Sequence, residues 1–250
     1  MSDRDALLHA IAARPEEDTP RLMYADWLEE NGEPERADFV RTQVHLAQPG
    51  LTREEQFQLV RKNVAYMKGW TRQWKDQLPR VPGIEWGDFN RGLIEEVQAN
   101  DERPVVVHAA EIFAVPGVHI LRLRRLVGGL ALADCPELER LRALRMVSAR
   151  ATAPHLRALL ASPHLQNLKV LDLHGNGADD GVAGAIADGR FPHLTELWLG
   201  SNAIGSAGAH ELTRSPHLAG LQLLDLRGNA HISAGAQAAL KSKFGKRVKL

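Results

Sequence analysis

Leu168-Lys169-Val170-Leu171-Asp172-Leu173-His174-Gly175-Asn176 is answered by Leu194-Thr195-Glu196-Leu197-Trp198-Leu199-Gly200-Ser201-Asn202, and again by Leu221-Gln222-Leu223-Leu224-Asp225-Leu226-Arg227-Gly228-Asn229. The frame Leu-x-x-Leu-x-Leu-x-x-Asn therefore recurs, with copies opening at Leu168, Leu194 and Leu221 and a nearly constant period between them. The Leu-x-Leu core reads as a short strand whose leucines point inward and whose intervening residues point outward. The Asn carries both a donor and an acceptor, so it suits the place where the chain turns away from the strand and leaves backbone groups to satisfy. One such unit cannot bury its own apolar side, so the units must stack. Working outward, Leu141, Leu144, Met146 and Ala149 fit the frame one period before Leu168. Val118, Leu121, Leu123 and Leu126 fit it once more, at a somewhat shorter spacing. Val248 and Leu250 look like a last, truncated strand.

The pattern is that of a leucine-rich repeat. A period of this length has room for a strand and a true helix, and Asp179-Asp180, Ser206 and Ser233 are natural helix N-caps, with Ile186 and Leu212 turned inward. In this the copies resemble the ribonuclease-inhibitor-like subtype. The expected fold class is α/β, a leucine-rich-repeat solenoid with a curved parallel sheet inside and helices outside, preceded by a small helical domain.

That helical part starts with Ser2 to Asp5, which has the form of a capping box, followed by Leu7, Leu8 and Ile11 on one face. Thr19-Pro20 offers an N-cap with proline at the first position of a second helix carrying Leu22, Met23, Trp27 and Leu28, ended by Asn31-Gly32. A third helix from Pro34 to about Ala47 turns Ala37, Phe39, Val40 and Val44 inward. Thr52-x-x-Glu55 opens a long helix with Phe57, Val60, Val64 and Met67, running to about Trp74, with Trp70 and Trp74 on one face as core against the first repeat. Residues 79–92 read as irregular, 93–99 as a capping strand and 103–114 as a helix.

The run Leu22-Met23-Tyr24-Ala25-Asp26-Trp27-Leu28-Glu29-Glu30-Asn31-Gly32, with Arg36-Ala37-Asp38-Phe39-Val40-Arg41, resembles the bacterial repeat-companion domain. The resemblance implies an N-terminal module attached to repeats, in a bacterial protein, and no catalytic activity. Residues 1–48, over which it extends, are accordingly read as this helical domain, 49–91 as a helical linker and cap, and 92–250 as the leucine-rich-repeat domain.

Composition narrows the function. With 44% hydrophobic and 25% charged residues the chain is an ordinary globular one. Its 31 basic and 31 acidic residues cancel, which argues against nucleic acid as a partner. The single cysteine, Cys135, excludes an intramolecular disulfide and suits a reducing cytoplasm, as does the absence of a secretory h-region at the N-terminus. No apolar run reaches the length of a membrane span.

Phosphate loops, zinc spacings and nucleophile elbows do not occur. Pro-His recurs at His155, His164, His193 and His217, but these lie in connecting segments without a shared register, so no metal is expected. No catalytic residue and no cofactor is assigned. The outward strand positions are more telling: Ile120, Arg122, Arg124; Ala143, Arg145, Val147; Val170, Asp172, His174; Glu196, Trp198, Gly200; Leu223, Asp225, Arg227. The candidate partner-binding set is Arg122, Arg145, Asp172, His174, Glu196, Trp198, Asp225 and Arg227, on the concave sheet face. An outward tryptophan is required by nothing in the repeat, and tryptophan and arginine are favoured at binding hot spots. The expected function is non-catalytic binding of a protein partner. The alternatives are a regulatory or inhibitory subunit that occludes an enzyme, or an enzyme with an unrecognised site between the helical domain and the repeats, which a strongly shifted acid or base in a deep cleft near Asp26 or Trp70 would favour.

Overall fold

The computed structural model describes residues 2–189 and 191–250. The chain begins with helices α1 Asp3–Ala13, α2 Thr19–Glu30, α3 Pro34–Leu46, α4 Arg53–Gly69 and α5 Thr71–Lys75. Strands β1 Ile84–Trp86, β2 Phe89–Asn90, β3 Leu93–Ile94 and β4 Glu96–Ala99 follow, then α6 Arg103–Val107 and α7 Ala109–Ala114. Strand and helix then alternate as β5 Ile120–Leu123, α8 Leu130–Ala133, β6 Ala143–Arg145, α9 Ala153–Leu160, β7 Val170–Asp172 and α10 Asp180–Asp188. The last elements are β8 Glu196–Trp198, α11 Ser206–Arg214, β9 Leu223–Asp225, α12 Ala234–Phe244 and β10 Val248–Lys249.

Two compact units result. The first comprises Met1–Val81, Trp86–Val97 and Glu111–His119, and the second Pro82–Glu85, Gln98–Ala110 and Ile120–Leu250. The division differs from breaks after residues 48 and 91, because compactness follows packing and the helices after residue 48 pack on those before it.

In the first unit, Ser2 and Asp5 close the capping box of α1, and Thr52 and Glu55 close that of α4. The core joins Ile11, Tyr24, Ala25, Leu28, Ala37, Val40, Val44 and Leu93, with Leu7, Leu8 and Trp27 packed against it. The buried face of α2 is thus Arg21, Tyr24, Ala25 and Leu28, whereas Leu22 and Met23 are exposed. The apolar reading of α2 is corrected here by an ion pair. Arg21 Nη2 donates to Glu95 Oε1 at 2.5 Å and to the Pro15 carbonyl at 2.9 Å, and this rotates Leu22 and Met23 outward. The cap of α2 also differs: Asp18 takes the N-cap position, without a side-chain bond, and Pro20 lies in the first turn.

The long fourth helix ends at Gly69, and Phe57, Val60 and Val64 on it are exposed. Trp74, on α5, is buried within the first unit against Phe39 and Phe89, with Tyr66 and Trp70 stacked on it. Residues 79–92 hold β1 and β2. Strand β2 pairs antiparallel with β3 across Arg91 and Gly92, both at positive φ, a turn that matches strand twist. A side chain at Gly92 would also strike Val40. The expected single strand at 93–99 is split at Glu95, which is buried to meet Arg21. The expected helix at 103–114 breaks at His108 into α6 and α7.

The second unit is mixed α/β around a parallel sheet. The strand order is β1-β4-β5-β6-β7-β8-β9-β10, where β1 contributes Ile84 and Glu85 to this unit and β4 contributes Gln98 and Ala99. From β5 to β10 each strand pairs in parallel with the next, so each connection must cross back, and helices do this between successive strands. The register sets Leu121, Leu144, Leu171, Leu197 and Leu224 side by side, all with no exposure, and aligns Val248 with Leu224. The leucine-rich-repeat frame thus holds one strand per repeat, including both degenerate copies.

The connecting helices show how repeats are spliced. Asp179 caps α10 through Val182 N and Ser233 caps α12 through Ala236 N. Ser206 does not cap α11, whose N-cap position is Gly205; its hydroxyl instead donates to the His231 carbonyl and accepts from Ser233 N. At Gly208 a Cβ would stand 2.7 Å from Asp180 Oδ1 and 2.9 Å from Ala183 Cβ, so α10 and α11 approach more closely than larger residues allow.

Candidate interaction face

Two rows of outward residues cross the sheet. One is Ile120, Ala143, Val170, Glu196 and Leu223; the other is Arg122, Arg145, Asp172, Trp198, Asp225 and Lys249. Parallel pairing in register places the members of a row on neighbouring strands. The second row therefore runs from two arginines, through an acid and a tryptophan, to an acid and a lysine. His174 and Arg227 lie two residues beyond Asp172 and Asp225, where the chain leaves the strand.

The acids of this row have a local task. Asp172 Oδ1 accepts the His174 backbone N–H at 3.0 Å, and Asp225 Oδ1 accepts that of Arg227 at 3.0 Å. Asp225 is also held by the Arg227 guanidinium, with Nε 3.0 Å from both carboxylate oxygens. Strand alternation points Asp225 outward, yet it is only 1% exposed, because Arg227 covers it. Burial alone would raise its pKa, but the Arg227 hydrogen bonds and charge outweigh that and hold the carboxyl below the ordinary aspartate value. Of this pair, Arg227 is the exposed member.

In the middle repeat the same place is Trp198, which cannot make that turn bond. Its Nε1 donates to Glu196 Oε2 at 3.2 Å, and Lys249 Nζ stands 5.6 Å from its ring centre. Trp198 is consequently half-buried. Lys249 is the member of this face that was not selected from sequence, although aligning Val248 with Leu224 places it beside Asp225. Gly200 is buried under His174, whose Nδ1 would lie 2.7 Å from a Cβ there. Arg122 and Arg145 are half-buried in their strands, and Arg124 is engaged by Glu85 at 2.8 Å. The sheet thus brings Arg145, Asp172, Glu196, Trp198 and Asp225 onto adjoining strands, with Arg122 at the end of their row.

Among the described residues no cluster of three or more histidine, cysteine, aspartate or glutamate residues could hold a metal. His164 meets Glu139 at 2.9 Å, and His155 keeps a buried Nδ1 without a partner. Burial, then Glu137, push the Cys135 thiol up to about 11, so it stays protonated at neutral pH. Asp26 is bound to Arg41 at 2.6 Å. A cavity of about 250 Å³ in the first unit is walled by Tyr24, Trp74 and Phe89 and edged by Arg4, Arg36 and Glu111. No helix among the described residues is long and apolar enough to cross a membrane.

No family model matches the chain, and no curated protein matches it. Among solved structures it is similar to the crystal structure of an internalin from Listeria monocytogenes, at 20% identity and a TM-score of 0.42. The match covers 61% of this chain and 38% of the internalin chain.

Proposed function

We propose that this chain is a non-catalytic protein-interaction module that binds a protein partner through the outward face of its repeat sheet. In this reading the repeats stack as a ribonuclease-inhibitor-like solenoid with that face concave, behind an N-terminal companion domain, in the bacterial cytoplasm. The observation that carries it is the register Arg145–Asp172–Trp198–Asp225, in which an aromatic replaces the turn-closing acid of both neighbouring repeats. A half-buried indole flanked by charges of both signs suits a specific protein contact, whose centre favours tryptophan and arginine. Nucleic acid would favour a uniformly basic row.

The test is comparative. A partner captured with the intact chain is titrated against Trp198→Ala and Arg145→Ala on the sheet and Glu211→Ala on α11. Loss of affinity with the sheet variants and none with Glu211→Ala is expected. The reverse order would place the binding surface on the helices and end this proposal.

A further inference from the structure

Helix α4 has 17 residues and buries none of them. One side is tied down by polar bonds: Asn63 Oδ1 accepts from Gln43 at 3.1 Å, while Lys62 and Tyr66 donate to Asp38 at 2.7 and 2.5 Å. Another side keeps Phe57, Val60 and Val64 at 57%, 44% and 42% exposure, and half-buried Met67 continues the line. These four follow one another at alternating short and long helical spacings, the a and d positions of a heptad. Such a stripe in water is a seam for another helix.

The charges on its flanks choose the occupant. Glu54, Arg61 and Lys68 recur once per heptad along one flank, and Gln56, Asn63 and Trp70 along the other. Two copies of α4 laid antiparallel bring like flanks together, so Glu54 of each meets Lys68 of the other. Parallel copies would set the charged flank against the uncharged one and gain nothing. The antiparallel register also sets Phe57 against Met67 and Val60 against Val64. Its one like-charge meeting is Arg61 with Arg61 at the two-fold axis, where each guanidinium already lies 5.8 Å from its own Phe57 ring. The Glu54 carboxylate also accepts from Gln58 at 2.6 Å, a bond on the surface of the same helix.

We propose that α4 is a self-association surface through which two copies of this chain pair as antiparallel helices. The apolar line is short, so the dimer is a weak one that forms as concentration rises. It is separate from the sheet face and does not depend on it.

Sedimentation equilibrium of the full chain across a concentration series tests this. The mass should climb from one chain, 27.6 kDa, toward two. Val64→Glu should hold the chain monomeric with its far-ultraviolet dichroism unchanged. Lys68→Glu should weaken the dimer about tenfold, since two attractive pairs become repulsive, and Glu54→Lys added to Lys68→Glu should restore it. Arg61→Gln should tighten it. Mild oxidation of a mixture of Val60→Cys and Val64→Cys chains should give the mixed disulfide, with little of either symmetric one. A chain monomeric throughout, a dimer indifferent to Val64→Glu and to the charge exchange, or dominant Val60→Cys symmetric cross-links would each overturn the proposal.

Discussion

The side-chain oxygen of Asn202 accepts the backbone N–H of Asn176 at 3.0 Å, which locks one repeat turn to the turn before it. The same oxygen accepts from Ala178 N, while the amide donates to the carbonyls of Leu199 and Gly200 in its own turn and Leu173 in the previous repeat. Asn176 reaches back to Met146 in the same way and Asn229 to Leu199, so the three form a ladder. Asn202→Leu fits the volume but leaves several backbone groups without partners. A loss of about 2 kcal/mol or more is expected in urea titration, from about 1–3 kcal/mol per unsatisfied buried group. Unchanged stability would mean that water substitutes for the side chain.

Leu197 sits in the central leucine column with no exposure, between Leu171 and Leu224. Leu197→Ala should cost about 2–5 kcal/mol, the range for large-to-small changes in a packed core. Val147→Ala, at a site 45% exposed, should stay within about half a kcal/mol. Equal effects at the two sites would contradict the register.

Arg21 and Glu95 are 0% and 3% exposed, and Glu95 is further bonded by Asn90 at 2.5 Å. Removing Arg21 leaves the buried Glu95 carboxylate only Asn90 and the more distant Arg91, at 3.4 Å. Arg21→Met is expected to destabilise by about 3–5 kcal/mol, and the double change Arg21→Met with Glu95→Leu by less than the sum of the single ones. A strictly additive cycle would show that the two groups are not coupled.

Burial, followed by the hydrogen bond and charge of Asp38, raises the Tyr66 hydroxyl from 10.0 to about 12. The folded state therefore holds this proton more tightly than the unfolded one. Its contribution to stability is complete below pH 10 and disappears as pH rises from 10 to about 12. Ultraviolet titration in a Tyr24→Phe background should show ionisation near 12, and Asp38→Asn should move the midpoint down. A midpoint indifferent to Asp38→Asn would detach Tyr66 from that carboxylate.

The repeat frame was legible because its causes are local and periodic. Leucines at fixed offsets must share a column once strands pair in register, and an asparagine at the turn must meet backbone groups wherever the chain bends. The capping boxes at Ser2 and Thr52 were legible for the same reason, since each closes within a single helical turn. The outward row could be read as far as Asp225, and Lys249 followed from one further step of the same alignment.

Sequence by itself determined the repeat unit, its period and the order of residues along each strand, because these depend on neighbours close in the chain. The tertiary structure decided which apolar residues became core. Leu22 and Phe57 are as hydrophobic as Leu28 and Val40, but a buried ion pair between distant parts of the chain turned the face of α2, and α4 met its neighbours through Lys62, Asn63 and the Tyr66 ring on another side from Phe57. It also decided that Asp225 lies beneath Arg227 while Trp198 lies beside Lys249. Burial is set by what packs opposite a side chain, and that partner is brought in from elsewhere in the chain by the fold.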